Sequence, residues 1–270
     1  MSTSSALSPT FIRVLLSTLT ATAMLGAASL SNAALFNKNL PKDPDAELSV
    51  GVNVMAVKSA YDLEESTEIK VLPGVFYDNN RIYARGAQAG VYLINDGSNQ
   101  LAAYAQLAGS EFDPDDATGA LKGLDERKAS AAAGLSYTRL TPVGGFRAQY
   151  ATDILDRSGG NTARLSYIGK ISKNKLTVYP SVGFEYNDAD YNEYYYGVSD
   201  TESTRTGVAA YTANSSLNPY INVSANYDFS KRWAGFANQS LSYLPNEQYD
   251  SPMVDSRTDA TTTLGLLYKF

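Results

Sequence analysis

The chain has 270 residues, a formal net charge of −6, no histidine and no cysteine. Without an imidazole there is no Ser–His triad and no ordinary zinc site, and without a thiol there is no disulfide frame. The acidic balance argues against nucleic acid as a partner, whereas twenty tyrosines against one tryptophan suit a membrane–water interface.

The first element is a leader. Arg13 precedes an apolar run from Val14 to Leu30, and Ser31-Asn32-Ala33 forms a small-x-small site, which predicts export and cleavage between Ala33 and Ala34. Residues 34–45 then form a short periplasmic segment, and residues 46–270 the folded unit. Beyond the leader no apolar stretch reaches the length of a spanning helix. A mature chain that crosses a membrane must do so as strands.

From residue 46 onward apolar and polar residues alternate. The strand candidates run, in chain order, 46–58, 66–77, 81–94, 99–109, 128–139, 146–153, 163–171, 175–186, 219–229, 231–245 and 255–270. The 81–94 run changes phase midway. In "PYINVSANYDF" Ile221, Val223, Ala225, Tyr227 and Phe229 oppose Asn222, Ser224, Asn226 and Asp228. Pro180, inside "KLTVYPSVGFEY", marks a bulge or a local gap in pairing. Short turn signals separate many of the runs, while 110–126, 188–217 and 245–255 are longer polar connections. No helical periodicity of useful length stands out.

These are eleven strands, and bacterial outer-membrane barrels carry an even number with both ends in the periplasm. The twelfth is assigned to "TGVAAYTA" at 206–213, with ten strands as the alternative. That count places 110–126 and 188–204 on the periplasmic side. A soluble sandwich also alternates, but three features favour an all-β, closed antiparallel transmembrane barrel in the outer membrane of a Gram-negative cell. These are the leader, apolar faces matched to strands of roughly 9–11 residues, and small or charged residues on the other faces. The chain finishes on "TTTLGLLYKF", with Leu264, Leu266, Tyr268 and Phe270 on one side. Tyr268 and Phe270 are expected to anchor the strand in lipid and to serve as a membrane-assembly signal for the barrel assembly machinery.

Catalysis is not expected. Asp113, Asp115, Asp116, Asp188 and Asp190 read as solvated loop acids. Asp113, Asp115 and Gly119 echo a calcium loop, but no acid stands at the twelfth position and the glycine is one residue late. No metal, cofactor or catalytic residue is assigned. The inward charges Lys128, Arg147, Asp153, Arg164, Lys170, Glu185 and Asp228 are of mixed sign, as in a plugged lumen rather than a selective pore.

The stretches "GLDERKASAAAGLSY" (123–137), "VYPSVGFEYNDADYNEYYYGV" (178–198), "ANYDFSKRW" (225–233), "YLPNEQYDSPMVD" (243–255) and the terminal "LGLLYKF" together resemble the MipA/OmpV family of outer-membrane proteins. The first hairpin matches less well. The resemblance implies a barrel without known catalysis, acting as a scaffold between a murein lytic transglycosylase and a bifunctional murein synthase. A narrow porin-like channel and a surface adhesin are the alternatives. It carries no catalytic or ligand residue across; Tyr194, Tyr195, Tyr196, Gly197 and Val198 are candidate partner-docking residues, beside outer-membrane lipids as the general partner.

Overall fold

The computed structural model describes residues 46–270, so the predicted leader and the 34–45 segment lie outside the described residues. Alternation becomes strands: β1 (Glu47–Lys58), β2 (Thr67–Asp78), β3 (Ile82–Arg85), β4 (Gln88–Asn95), β5 (Asn99–Ala108), β6 (Ser130–Thr141) and β7 (Gly144–Asp153). They continue with β8 (Asn161–Ile168), β9 (Ile171–Lys173), β10 (Leu176–Asn187), β11 (Ser216–Asp228), β12 (Trp233–Tyr243) and β13 (Thr258–Lys269). Each pairs antiparallel with its neighbours, and β1 pairs with β13 from Ser49↔Lys269 to Lys58↔Ala260. β10 pairs with β11 as well as with β8 and β9, so the sheet closes on itself into a barrel.

β8 and β9 are two pieces of one position in the wall. Ile168 lies opposite Ser181 and Ile171 opposite Val178, and the break at Gly169–Lys170 falls beside Pro180. Proline has no N–H to give a ladder, so the neighbouring strand detaches there and keeps one bond, Gly169 N–H to Pro180 C=O at 2.8 Å. The wall therefore has twelve positions, as the sequence led us to expect.

The twelfth strand is not where it was expected. Residues 81–94 split into β3 and β4 around a tight turn at Gly86, whose φ of 58° is the left-handed conformation that glycine tolerates. The change of phase in that run is this turn. Segment 206–213 instead leaves a helix and makes a single bridge, Tyr211 to Val198. Three helical segments, α1 (Ala189–Tyr196), α2 (Asp200–Thr206) and α3 (Asn246–Tyr249), sit in the long connections, where no helix was read.

Moving the twelfth strand upstream reverses the side of every loop between the two places. Connections 109–129 and 188–215 lie at the end away from Glu47 and Lys269, together with 59–66, 154–160 and 244–257. Short turns at 79–81, 96–98, 142–143, 174–175 and 229–232 lie at the other end. Outer-membrane barrels keep short turns in the periplasm and longer loops outside. The expected periplasmic placement of 110–126 and 188–204 is thus corrected: both belong to the outer end.

The wall is apolar outside and polar inside. Val71, Leu165, Val182, Phe184, Ile221 and Leu264 are all more than half exposed, whereas Asn222, Ser224, Asn238, Ser240, Thr261 and Thr263 are buried in the interior. In the last strand Leu264 and Leu266 face out, while Thr261, Thr263 and Leu267 face in.

Candidate functional site

The outer loops fold over the barrel mouth as a cap with its own apolar core. Tyr61, Phe112, Leu121, Tyr195, Tyr196, Val198, Leu244 and Met253 come from four loops and meet in one cluster. The Tyr61 ring packs edge-on against Phe112 at 5.3 Å between centroids, and its hydroxyl donates to the Tyr195 carbonyl at 2.9 Å. Burial pushes the Tyr61 and Tyr196 hydroxyls well above the ordinary phenol range, so both stay neutral donors.

Two capped helices give the cap its rigidity. Asp188 accepts from the Tyr191 N–H at 2.9 Å and starts α1. Ser199 and Glu202 form a capping box at α2, a Ser-x-x-Glu spacing that was legible in the sequence. Glu202 is also a clamp between loops. Its carboxylate accepts from Asp125 N–H at 3.0 Å, Arg127 Nη2 at 2.8 Å and Ser199 N–H at 3.0 Å. Burial alone would raise this carboxyl, but these donors outweigh it and hold it down at about 2.

The candidate docking residues belong to this cap. Tyr195, Tyr196, Gly197 and Val198 are buried, and only Tyr194 is partly open. Tyr194 meets the Tyr195 ring at 4.8 Å, and its hydroxyl accepts from Lys128 N–H. What they do here is pack α1 onto the neighbouring loops. Asp113, the first acid of the calcium-like stretch, caps a short 3-10 turn by accepting from Asp115 N–H at 3.0 Å. Among the described residues no group of three or more His, Cys, Asp or Glu converges on a metal-sized point.

Beneath the cap the lumen is filled with paired charges and aromatic rings. Arg85 bonds to Asp78 and to the Tyr92 hydroxyl, and lies over the Tyr83 ring at 4.5 Å. Arg164 pairs with Glu185 and lies over Tyr220 at 5.2 Å. Arg147 Nε donates to Thr138 at 3.3 Å. Of the inward charges expected from the sequence, Arg164 and Glu185 thus meet each other, whereas Asp228 pairs with Lys269 at the turn end. A chain of amides, Asn218 to Gln248 to Asn192, ties the wall to the cap.

A cavity of ≈ 730 Å³ lies between the upper part of β2 and loop 109–129. Acids dominate its lining, with Glu68, Glu111, Asp116 and Glu126 among them and Lys70 as the base. Desolvation and neighbouring carboxylates push the Glu111 and Asp116 carboxyls above their ordinary range, although Lys70 offsets part of this at Glu111. Sequence reading missed this site because its residues come from two distant loops and a strand.

Tyr268, one of the two expected assembly-signal residues, stacks edge-on with Trp233 at 5.2 Å and with Phe270 at 5.0 Å. Phe270 is 78% exposed on the outside of the seam.

Comparison with known proteins matches residues 50–270 to the family described as MltA-interacting protein MipA. The MltA-interacting protein of Escherichia coli K12 is 34% identical over 227 residues, covering 84% of this chain and 91% of that relative. The putative outer membrane protein YiaT of the same organism is 33% identical, covering 83% and 92%. OmpV of Vibrio cholerae is 28% identical over 170 residues, covering 63% and 65%. Among solved structures, an outer-membrane channel from Pseudomonas putida F1 superposes with a TM-score of 0.46 at 12% identity, covering 85% of this chain and 99% of that one. The barrel and these relatives place the protein in the outer membrane of a Gram-negative cell. By the match along 50–270 and the identity to its curated relatives, the chain belongs to the MltA-interacting protein (MipA) family.

Proposed function

We propose that this protein is a non-conducting, non-enzymatic membrane scaffold that holds murein-remodelling enzymes against the inner surface of the outer membrane. One observation carries the reading: the lumen is occupied by the Arg85–Asp78–Tyr92 and Arg164–Glu185–Tyr220 groups and covered by a packed cap. Such a barrel conducts poorly and serves better as an anchor. The similarity to a protein named for its interaction with MltA supports a murein-related partner; the partners proposed here are a murein lytic transglycosylase and a bifunctional murein synthase.

A periplasmic enzyme meets the turn end, not the cap, so the docking surface moves away from Tyr194 to Val198. The turn end is basic: Lys173, Lys175, Lys231 and Arg232 project from two adjacent hairpins, and Lys175 Nζ reaches the Phe229 carbonyl at 3.1 Å. These form the docking surface, and tethering two enzymes there raises their local concentration for each other. Tyr268 and Phe270 serve the assembly machinery and the lipid interface. The test is recovery of solubilised envelope proteins on the refolded barrel, with a K173E/K231E/R232E variant in parallel. Capture of a murein hydrolase or synthase that the variant loses supports the scaffold; equal capture by both forms moves the surface elsewhere.

A second reading, a narrow conduit for small solutes, is favoured by one feature. Asn222 Nδ2, Asn238 Oδ1, Ser240 Oγ, Thr261 Oγ1 and Thr263 Oγ1 line one inner wall with no hydrogen-bond partner among the described residues. Such groups ordinarily find water. Steady single-channel current in a planar bilayer would decide for the conduit.

A further inference from the structure

The wall has a window. β2 pairs with β1 along its full length, but with β3 only at Phe76, Tyr77 and Asp78. Gly86 N–H donates to the Val75 carbonyl, and there the β3–β4 hairpin ends. Among the described residues no strand pairs with β2 between 67 and 74 on this side. Because Val75 turns its carbonyl to the opening, alternation turns the backbone groups of Pro73, Val71 and Ile69 the same way. A proline fits that position because no donor is required on an open edge.

The opening is framed all round. Leu107 N–H bonds to the Ala87 carbonyl at one lower corner. At the top, loop 59–66 is bound to loop 109–129 through Leu63↔Ala117, Glu64 N–H to Asp116 C=O at 2.9 Å, and Thr118 N–H to Asp62 C=O at 3.2 Å. The acidic cavity of ≈ 730 Å³ lies directly behind. On the outside, Ile69 and Val71 are 70% and 67% exposed.

We propose that this window docks an extended cationic peptide, which adds to the open β2 edge as an antiparallel strand. Three requirements are met together. Unpaired backbone groups at membrane depth are costly, and strand addition satisfies them where a simple amine or a lipid does not. An added strand places alternate side chains beside Ile69 and Val71, where apolar residues suit the lipid. The side chains between them point inward to Glu111 and to Glu68 and Glu126, which already meet Lys70 at 2.8 Å and Lys128 at 3.1 Å, so a basic residue enters a lining in which acids still outnumber lysines. The matching pattern is therefore alternating basic and apolar. Residues 34–45 of the same chain fit less well, because Pro41 and Pro44 interrupt their donors.

The test uses the mature chain from residue 34 in phosphatidylcholine nanodiscs and a fluorescein-labelled (Lys-Val)4 peptide, read by anisotropy. In an antiparallel ladder the valines bond to β2 and the lysine N–H groups point away. N-methylation of the valines should weaken binding at least about tenfold, since each lost hydrogen bond corresponds to about fivefold, while N-methylation of the lysines leaves it within about threefold. Glu111→Gln with Glu126→Gln should lower the affinity and its salt dependence. Equal binding of the two N-methylated peptides would mean attraction by charge alone and would overturn the proposal. Absence of binding to the mature chain overturns it too, as does binding that appears only when residues 34–45 are removed, which would make that segment the occupant.

Discussion

The wall and the cap obey opposite rules. In the wall, Ser224, Ser240 and Thr261 are fully buried while Leu165 is 64% exposed; in the cap, Phe112, Tyr195 and Met253 are fully buried and Asp113, Asp115 and Asp116 are exposed. The same residue types sort in opposite directions within one chain because the wall meets lipid outside, whereas the cap meets water. Burial alone is therefore no measure of which residues hold this molecule together. The medium on the far side of each element decides.

The largest test of this contrast is Phe112→Ala. Truncating a fully buried aromatic costs about 3–5 kcal/mol, and here the loss should fall on the cap alone. Limited proteolysis should open loops 109–129 and 188–215 while the barrel keeps its heat-modifiable gel migration; loss of both together would show that cap and wall fold as one unit. Next comes Leu165→Arg, on the lipid face, expected to cost about 2–4 kcal/mol in urea titrations of the barrel in vesicles. Its cap should stay protease-resistant at low urea, the reverse of the first variant.

A smaller and reversible effect concerns pH. The folded Glu202 carboxyl sits at about 2, below its unfolded value of about 4.3, so its contribution is complete above the unfolded value and is lost as pH falls toward the folded one. The Glu202 share of cap protection should be flat from pH 7 to 5 and decline between about pH 4.5 and 2. In Glu202→Gln, protection should be lower at neutral pH and that decline should shrink; an unchanged acid profile would assign it to other carboxylates. The smallest effect is at Gly207, which ends α2 with φ of 77° in open space. Gly207→Ala should cost about 1–2 kcal/mol through its backbone alone, visible as faster amide exchange in α2 and nowhere in the wall.

Much of the wall was legible. Period-two alternation located the strands and their faces, because one side of each had to be apolar. The exception was the β3–β4 turn, where "YARGAQAG" offers two separated glycines and no polar run, so two short strands read as one. That single miss turned the long loops to the wrong side. The cap was hardly legible: Tyr61, Phe112, Tyr195 and Met253 are far apart in sequence, and their meeting follows no local period. The Ser199–Glu202 spacing is a helix-start signal that went unread, because α2 is too short to carry a repeating pattern. Most of the run from Tyr194 to Val198 looked like a surface because it is conspicuous in composition, and it is an interior for the same reason. Adjacent tyrosines fill a small core while the Tyr194 and Tyr195 hydroxyls reach the Lys128 backbone, one accepting from its N–H and one donating to its carbonyl.

The seam between β1 and β13 also governs how the molecule comes into being. Phe270 N–H bonds to the Leu48 carbonyl at 3.0 Å, so the ring is completed by its first and last strands. Every chain short of β13 keeps two bare edges, and no shorter intermediate is self-sufficient. Biogenesis is thus all-or-none at a single join, and the ring as closed has no privileged starting point. A chain re-cut at the 174–175 turn, with the old ends linked, should make the same barrel when refolded in detergent without the assembly machinery, and move the moment of closure to β9 and β10.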